Sequence, residues 1–158
     1  MKPQDELKLR SAKSDEHFLL TDLCMRSKAV WGYDDHFMDQ CRAELTLNEA
    51  ACTSDNLRVA DRAGTILGIA EIVIDGEECF LEKLFVDPEQ QSVGIGRALF
   101  DWAKSRAILL RQDELIIEAD PGAVGFYRKM GATMAGESAS QSIPGRSLPK
   151  LVLPLSPI

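Results

Sequence analysis

Histidine and aromatic residues are scarce. The 158 residues include two histidines, and Phe, Trp and Tyr together make up 6%. His17, His36 and the four cysteines, Cys24, Cys41, Cys52 and Cys79, show no zinc-type spacing, so no metal site is expected. No C-x-x-C pair occurs either, and the cysteines read as reduced thiols in or near a core. There is no basic run, and the net charge is −7. That balance argues against nucleic acid as a partner and favours a cationic small molecule or peptide. No apolar run approaches the ~20 residues that span a bilayer. The opening MKPQDELKLR lacks the apolar stretch of a secretory signal. A cytoplasmic location without membrane contact is the expectation.

What is present is ordinary for a globular chain: 45% hydrophobic and 27% charged residues. Length and the absence of a linker or repeat predict one domain over 1–158. Periodicity predicts a strand from Leu7 to Ala12 and a helix to Lys28, capped by Ser14 or Asp15. After the turn WGYDD, a second helix runs to about Leu45, capped by Asp34 or Asp35. Asn48 to Asp55 is mixed. Strands follow at Asn56–Asp61, Thr65–Asp75 and Cys79–Val86, spaced tightly enough for an antiparallel meander. A helix is expected from about Ser92 to Leu110, then a strand over Glu114–Ala119. A short helix spans Ala123–Met130 and ends at Gly131. Ala132–Gly136 and Leu148–Leu155 read as closing strands around the loop SASQSIPGR. A meander followed by a strand–helix–strand crossover predicts an α+β fold with a mixed, mostly antiparallel sheet.

Gly94 and Gly96 stand at the mouth of the long helix. They either allow tight packing or let a ligand's phosphates approach the unpaired N–H groups of the first turn. A dinucleotide fingerprint fails, because Leu99 occupies its third glycine position. A Walker loop fails for want of its Gly-Lys-Ser/Thr ending. Gln91-Ser92-Val93-Gly94-Ile95-Gly96 does satisfy Q/R-x-x-G-x-G/A between a strand and a helix. Downstream, DPGAVGFYRKMGA places Ala123, Phe126, Tyr127 and Gly131 in the register N-x-x-A-x-x-F/L-Y-x-x-x-G-F/A. On these two motifs the chain resembles the GNAT superfamily of acyl-CoA-dependent N-acetyltransferases, from about Asn56 to Ala135 and more loosely from Leu7.

The resemblance implies helices on both faces of the sheet and an acetyl-CoA-binding core over about 79–131. Leu84, Phe85 and Val86 would offer main-chain contacts to pantetheine. The amides of Gln91, Ser92, Val93, Gly94, Ile95, Gly96 and Arg97 would hold the pyrophosphate, with Phe126 beside them. Tyr127 matches the tyrosine that protonates the departing thiolate. With an ordinary pKa of ~10 it carries its proton at neutral pH. Asp120 stands where the family has asparagine. It can cap the following helix but, as a carboxylate, it can only accept hydrogen bonds, which puts the family's cofactor contact in doubt.

The acceptor amine must lose a proton. The resemblance implies a glutamate base on the strand before the glycine loop, and Glu82 is the candidate, which period-two alternation puts on the face of Phe80 and Leu84. Glu71 on the neighbouring strand is the other option. The resemblance implies that the helices after the first strand and a late loop border the acceptor, which makes Trp31 and Tyr33, clustered with His36 beside the turn after the first helix, candidate acceptor contacts together with Arg146. Trp31 reads either as a core anchor or as part of an acceptor wall. Arg146 reads either as a surface cation or as a partner for an acceptor carboxylate. The implied reaction is direct acetyl transfer from acetyl-CoA to a primary amine of a small molecule or peptide. A non-catalytic acyl-CoA-binding module is the alternative, and a homodimer fits family habit.

Overall fold

The computed structural model describes residues 6–90 and 94–156. One seven-stranded sheet carries the fold, in the order β1-β2-β3-β4-β5-β7-β6. Its strands are β1 (Lys8–Arg10), β2 (Leu57–Arg62), β3 (Thr65–Asp75), β4 (Glu78–Val86), β5 (Glu114–Glu118), β6 (Thr133–Ala139) and β7 (Ser147–Pro154). All pairings are antiparallel except that of β4 with β5. The helices are α1 (His17–Ala29), α2 (Asp35–Leu45), α3 (Glu49–Cys52), α4 (Ile95–Leu109) and α5 (Val124–Lys129). This is the expected α+β architecture, with a mixed sheet between helical layers.

The layers follow from which side chains each strand buries. Leu20, Leu23 and Cys24 of α1, with Met38, Cys41 and Leu45 of α2, pack on Leu57, Val59 and Ile69. On the opposite face, Phe100, Ala103 and Ala107 of α4 pack with Leu81, Leu115 and Ile117, and Tyr127 of α5 joins them. All four cysteines are buried and free.

Local signals were partly as expected. Asp34 caps α2 by accepting from the Phe37 N–H at 2.8 Å. Asn48 caps α3 by accepting from Ala51 at 2.8 Å, which turns the mixed stretch into a one-turn helix. Neither Ser14 nor Asp15 caps α1; both lie in a 3-10 turn over Ser14–Glu16 that precedes it. The long helix begins at Ile95 rather than near Ser92, because Gly94 before it takes φ 95°, a left-handed conformation that no helix interior accepts. Gln91, Ser92 and Val93 lie outside the described residues.

At Gly68 the sheet and α4 come together. A Cβ there would lie 2.8 Å from the Phe85 carbonyl oxygen and 2.9 Å from Leu99 Cδ1. The missing side chain lets α4 press on β3 and fixes where its N-terminus sits relative to β4.

Candidate active site

β4 and β5 meet at one register pair, Phe80 with Ile116. Beyond it β4 stays paired with β3, through Leu84–Ala70, Phe85–Ile69 and Val86–Gly68. β5 stays paired with β7 through Glu118–Lys150. Each inner strand is held from its outer side, and a cavity of about 360 Å³ opens where they part. Its walls include Glu82, Leu84, Phe85 and Val86 from β4, and Ile117 and Glu118 from β5. Strand N–H and C=O groups point alternately to either side, so the β4 groups not engaged by β3 face this gap.

A β-bulge re-aims the middle of β4. Ile72 pairs with Leu81 and Glu71 with Lys83, which leaves Glu82 as the extra residue. The bulge shifts the alternation. Leu81 and Leu84, three residues apart, both pack on the α4 side, whereas Phe85 packs with α1 and α2. The expected common face for Phe80, Glu82 and Leu84 is therefore incorrect. Glu82 is turned to the cavity by the bulge, not by period-two alternation.

Water reaches the Glu82 carboxylate, yet protein surrounds it on the cavity wall. That desolvation raises its pKa. Lys83 opposes the shift, while Glu44, Glu71 and Glu118 add to it. Glu71 is differently placed. Lys83 Nζ donates to its Oε1 at 3.1 Å, with the two side chains 7% and 13% exposed. The pair satisfies itself, and Glu71 is not among the residues that line the cavity.

Tyr127 is 8% exposed and lines the cavity. Its ring meets Phe126 edge-on and Phe100 at a tilt, with centroids 5.2 and 6.0 Å away. Burial pushes its pKa up. Among the described residues the hydroxyl has no hydrogen-bond partner. No buried side-chain N or O atom there is left unpaired, so this hydroxyl opens on the cavity.

The start of α4 borders the same space. Gly94 supplies no side-chain cap, and the first turn of a helix carries N–H groups without intrahelical partners and a partial positive charge. Gly96 lines the cavity, and a Cβ on it would sit 3.4 Å from the Phe126 ring. The side chain of Ile95 is buried in the core, and that of Arg97 is exposed, 3.9 Å from Asp101. These two have only backbone to offer here. Arg26 anchors the end of β4 by donating twice to Asp87, at 2.7 and 3.0 Å.

Three loops meet at the other end. Tyr33 donates its hydroxyl to Asp120 Oδ2 at 2.5 Å, and Arg146 donates to the Tyr33 oxygen at 2.7 Å. The Arg146 guanidinium also lies over the Tyr33 and Phe37 rings, 5.1 and 4.9 Å from their centroids. Asp120 Oδ1 accepts from the Gly122 N–H at 3.1 Å, which caps the 3-10 turn over Pro121–Ala123 and not α5 as expected; α5 begins after Ala123 with no side-chain cap. Asp120 and Arg146 line the cavity, while Tyr33 stands behind them as a support. Arg146 is thus no free surface cation. Trp31 is 48% exposed, so it is not a core anchor. It lies over Gly122, where a Cβ would come within 2.5 Å of its ring.

The cavity wall also holds Lys28, Cys41, Glu44 and Glu118, which sequence reasoning did not single out. Glu118 is the last residue of β5, at the parting of the strands, a signal available only once that parting is placed.

The family model for the acetyltransferase (GNAT) domain matches residues 11–142. The chain belongs to this family. Among its relatives is the peptidyl-lysine N-acetyltransferase YjaB of Escherichia coli (strain K12), 36% identical over 73 residues that cover 46% of this chain and 48% of that protein. The chain spans about half the length of the curated relatives it matches. Among solved structures, the PaiA N-acetyltransferase of Thermoplasma acidophilum in complex with coenzyme A superposes with TM-score 0.74 at 15% identity, covering 94% of this chain and 99% of that one. YncA of Salmonella typhimurium with acetyl-CoA gives TM-score 0.68 at 18% identity, covering 96% and 95%. These structural likenesses concern the fold. No helix among the described residues is long and apolar enough to cross a membrane.

Proposed function

We propose that the protein is an N-acetyltransferase that moves an acetyl group from acetyl-CoA directly to a primary amine of a small molecule or peptide. The observation that carries this reading is the parting of β4 from β5 over a cavity onto which both Glu82 and the unpartnered Tyr127 hydroxyl open.

The residues present fit the donor. The free edge of β4 at Leu84, Phe85 and Val86 suits the amides of a pantetheine arm. The uncapped start of α4 suits a pyrophosphate, which an acidic chain can hold only through local N–H donors. The donor supplies an activated acyl carbon as a thioester. Glu82 takes a proton from the acceptor ammonium, and its raised pKa moves it toward the range useful at neutral pH. The amine nitrogen then bonds to the acyl carbon, the carbon–sulfur bond breaks, and the nitrogen gives up its second proton, which replaces the one that Tyr127 gives to the departing sulfur. β4 backbone N–H groups can polarise the carbonyl oxygen. Tyr127, kept protonated by burial, delivers its proton to the leaving sulfur. Positioning carries the rest, with no covalent enzyme intermediate.

A cytoplasmic setting belongs to this reading, supported by four unpaired cysteines. So does a homodimer, for which the edge strand β6, exposed along nearly all its length, offers an unpaired ladder.

Thermal unfolding with acetyl-CoA, CoA, NAD and ATP tests the donor half. At about a hundred times Kd, a native-state ligand adds ~2.7 kcal/mol. A raised midpoint with the two CoA species alone is expected. An unmoved midpoint contradicts the proposal.

A further inference from the structure

Two cations stand on the cavity wall around Tyr33. Lys28, in the last turn of α1, and Arg146, in the loop between β6 and β7, both line the cavity. Lys28 Nζ lies 5.7 Å from the centre of the Tyr33 ring, and Arg146 Cζ lies 5.1 Å from it. That ring is stacked on Phe37, with centroids 3.9 Å apart. An aromatic face attracts a cation but does not neutralise its charge.

The protein leaves most of this donor capacity unused. A guanidinium carries a rigid fork of N–H donors. Among the described residues, the Arg146 side chain donates only from Nη2, to the Tyr33 oxygen. Its approach to Asp120 is 3.9 Å, beyond hydrogen-bond length, and Asp120 already accepts from Tyr33 and Gly122. The Arg146 side chain is 20% exposed. No buried side-chain nitrogen lacks a partner among the described residues, so the unused Nε and Nη1 groups reach open space. Lys28 has neither a hydrogen bond nor an ion pair there; its contact is the Tyr33 ring. Glu44, on the same cavity wall, accepts from Ser142 and is ion-paired with neither cation.

The fork is also set in advance. The Tyr33 hydroxyl gives its proton to Asp120, so its oxygen is free to accept from Arg146. A partly shielded, preoriented guanidinium with idle donors, beside an unpaired ammonium, suits a planar anion.

We infer that Lys28 and Arg146 form a carboxylate subsite, and that the acceptor is an amine that also bears a carboxylate, as in a free amino acid. This rests on the N-acetyltransferase reading of the same cavity. The amine lies toward Glu82 and Tyr127, and the carboxylate lies against the two cations. The carboxylate takes no part in the transfer and keeps its charge throughout. The donor's phosphates are the other anions these cations could hold, and the test separates the two.

The probes are glycine, β-alanine, γ-aminobutyrate and ε-aminocaproate, whose lengths scan the separation of the two charges. Each is compared with its own primary amide, which keeps the amine and the shape but removes the negative charge. Affinities are measured by calorimetry on the CoA-bound protein, for wild type, Lys28→Gln and Arg146→Gln. Lys28→Gln breaks no hydrogen bond among the described residues, so it leaves the loops joined. In wild type at least one acid should bind about tenfold or more tightly than its amide, the order that a hydrogen bond to a charged group supplies. Each variant should shrink that ratio, with CoA affinity unchanged and the kinetic loss falling in KM rather than kcat. Equal affinities for every acid and its amide, or a preference that survives both substitutions, overturns the inference. So does a fall in CoA affinity without loss of the preference, which would assign the cations to the donor's phosphates. Because the comparison needs no turnover, it stays decisive if acetylation is absent. Failure of CoA to stabilise the protein would instead count against the acetyltransferase reading.

Discussion

Tyr33 and Asp120 are joined by a 2.5 Å hydrogen bond across 87 positions of sequence. Tyr33 lies in the loop after α1, and Asp120 at the junction of β5 with α5. Arg146, from the loop between β6 and β7, adds the third corner by donating to the Tyr33 hydroxyl. The cavity's far wall is therefore a polar knot tied between loops rather than a packed core.

Cutting that knot should loosen the wall. Tyr33→Phe keeps the stacked ring but leaves the shielded Asp120 carboxylate without its hydroxyl donor. A hydrogen bond to a charged group contributes about 1.5–3 kcal/mol. Urea unfolding should show a loss of that order. An unchanged midpoint would mean that Arg146 alone holds the loops.

Glu82 should set the acid limb of the rate profile. Its pKa lies above the ordinary ~4.3 of glutamate, chiefly through desolvation. Activity needs the ionised form, so the rate should fall as pH drops through that raised pKa. Glu82→Gln should lower the rate and abolish this limb. Glu118→Gln removes a neighbouring like charge, so the limb should move to lower pH. A Glu82→Gln profile matching wild type would remove Glu82 from the mechanism.

Gly68→Ala tests the packing beneath the site. The new methyl would meet the Phe85 carbonyl, which cannot move without shifting β4, and the tip of the buried Leu99 side chain, which would have to repack. Overpacking of this kind costs about 1–3 kcal/mol. CoA binding should weaken as well, because Phe85 lies on the parted strand. A variant as stable as wild type, with unaltered CoA affinity, would show that β4 tolerates displacement.

Much of this was legible in the sequence because it depends on local pattern. The β-branched run Thr65–Asp75 is β3, and Asp34 caps α2 as its position suggests. The glycine loop between β4 and α4 needed only its own residues to be noticed. What escaped was set by distant partners. The bulge at Glu82 exists because β3 holds the two halves of β4 in different registers, and no alternation within β4 reveals that. The partnership of Asp120 with Tyr33 and Arg146 depends on three loops meeting. Glu44, Glu82 and Glu118 share the cavity wall because α2, β4 and β5 meet there.

The Arg26–Asp87 pair gives a prediction about acid stability. Arg26's paired hydrogen bonds lower the Asp87 pKa; burial opposes this, and the Glu89 N–H adds to the lowering. A carboxyl depressed in the folded state contributes stability that is complete above its unfolded pKa of ~3.9. The contribution is lost as pH falls through the folded value. Asp87→Asn should therefore destabilise the protein near neutrality, and the difference from wild type should shrink below about pH 4. A difference independent of pH would mean that the pair acts through packing alone.

The most direct test of the central claim is amine-dependent release of CoA thiol from acetyl-CoA, with the acetylated amine identified by mass spectrometry. The account predicts thiol and N-acetyl product in equal amounts with an amino acid, and a lower rate for Tyr127→Phe. Protein that binds acetyl-CoA yet releases no thiol with amino acids, their amides or a lysine peptide would contradict it. Such a result would make the cavity a binding site for acyl-CoA rather than a catalytic one.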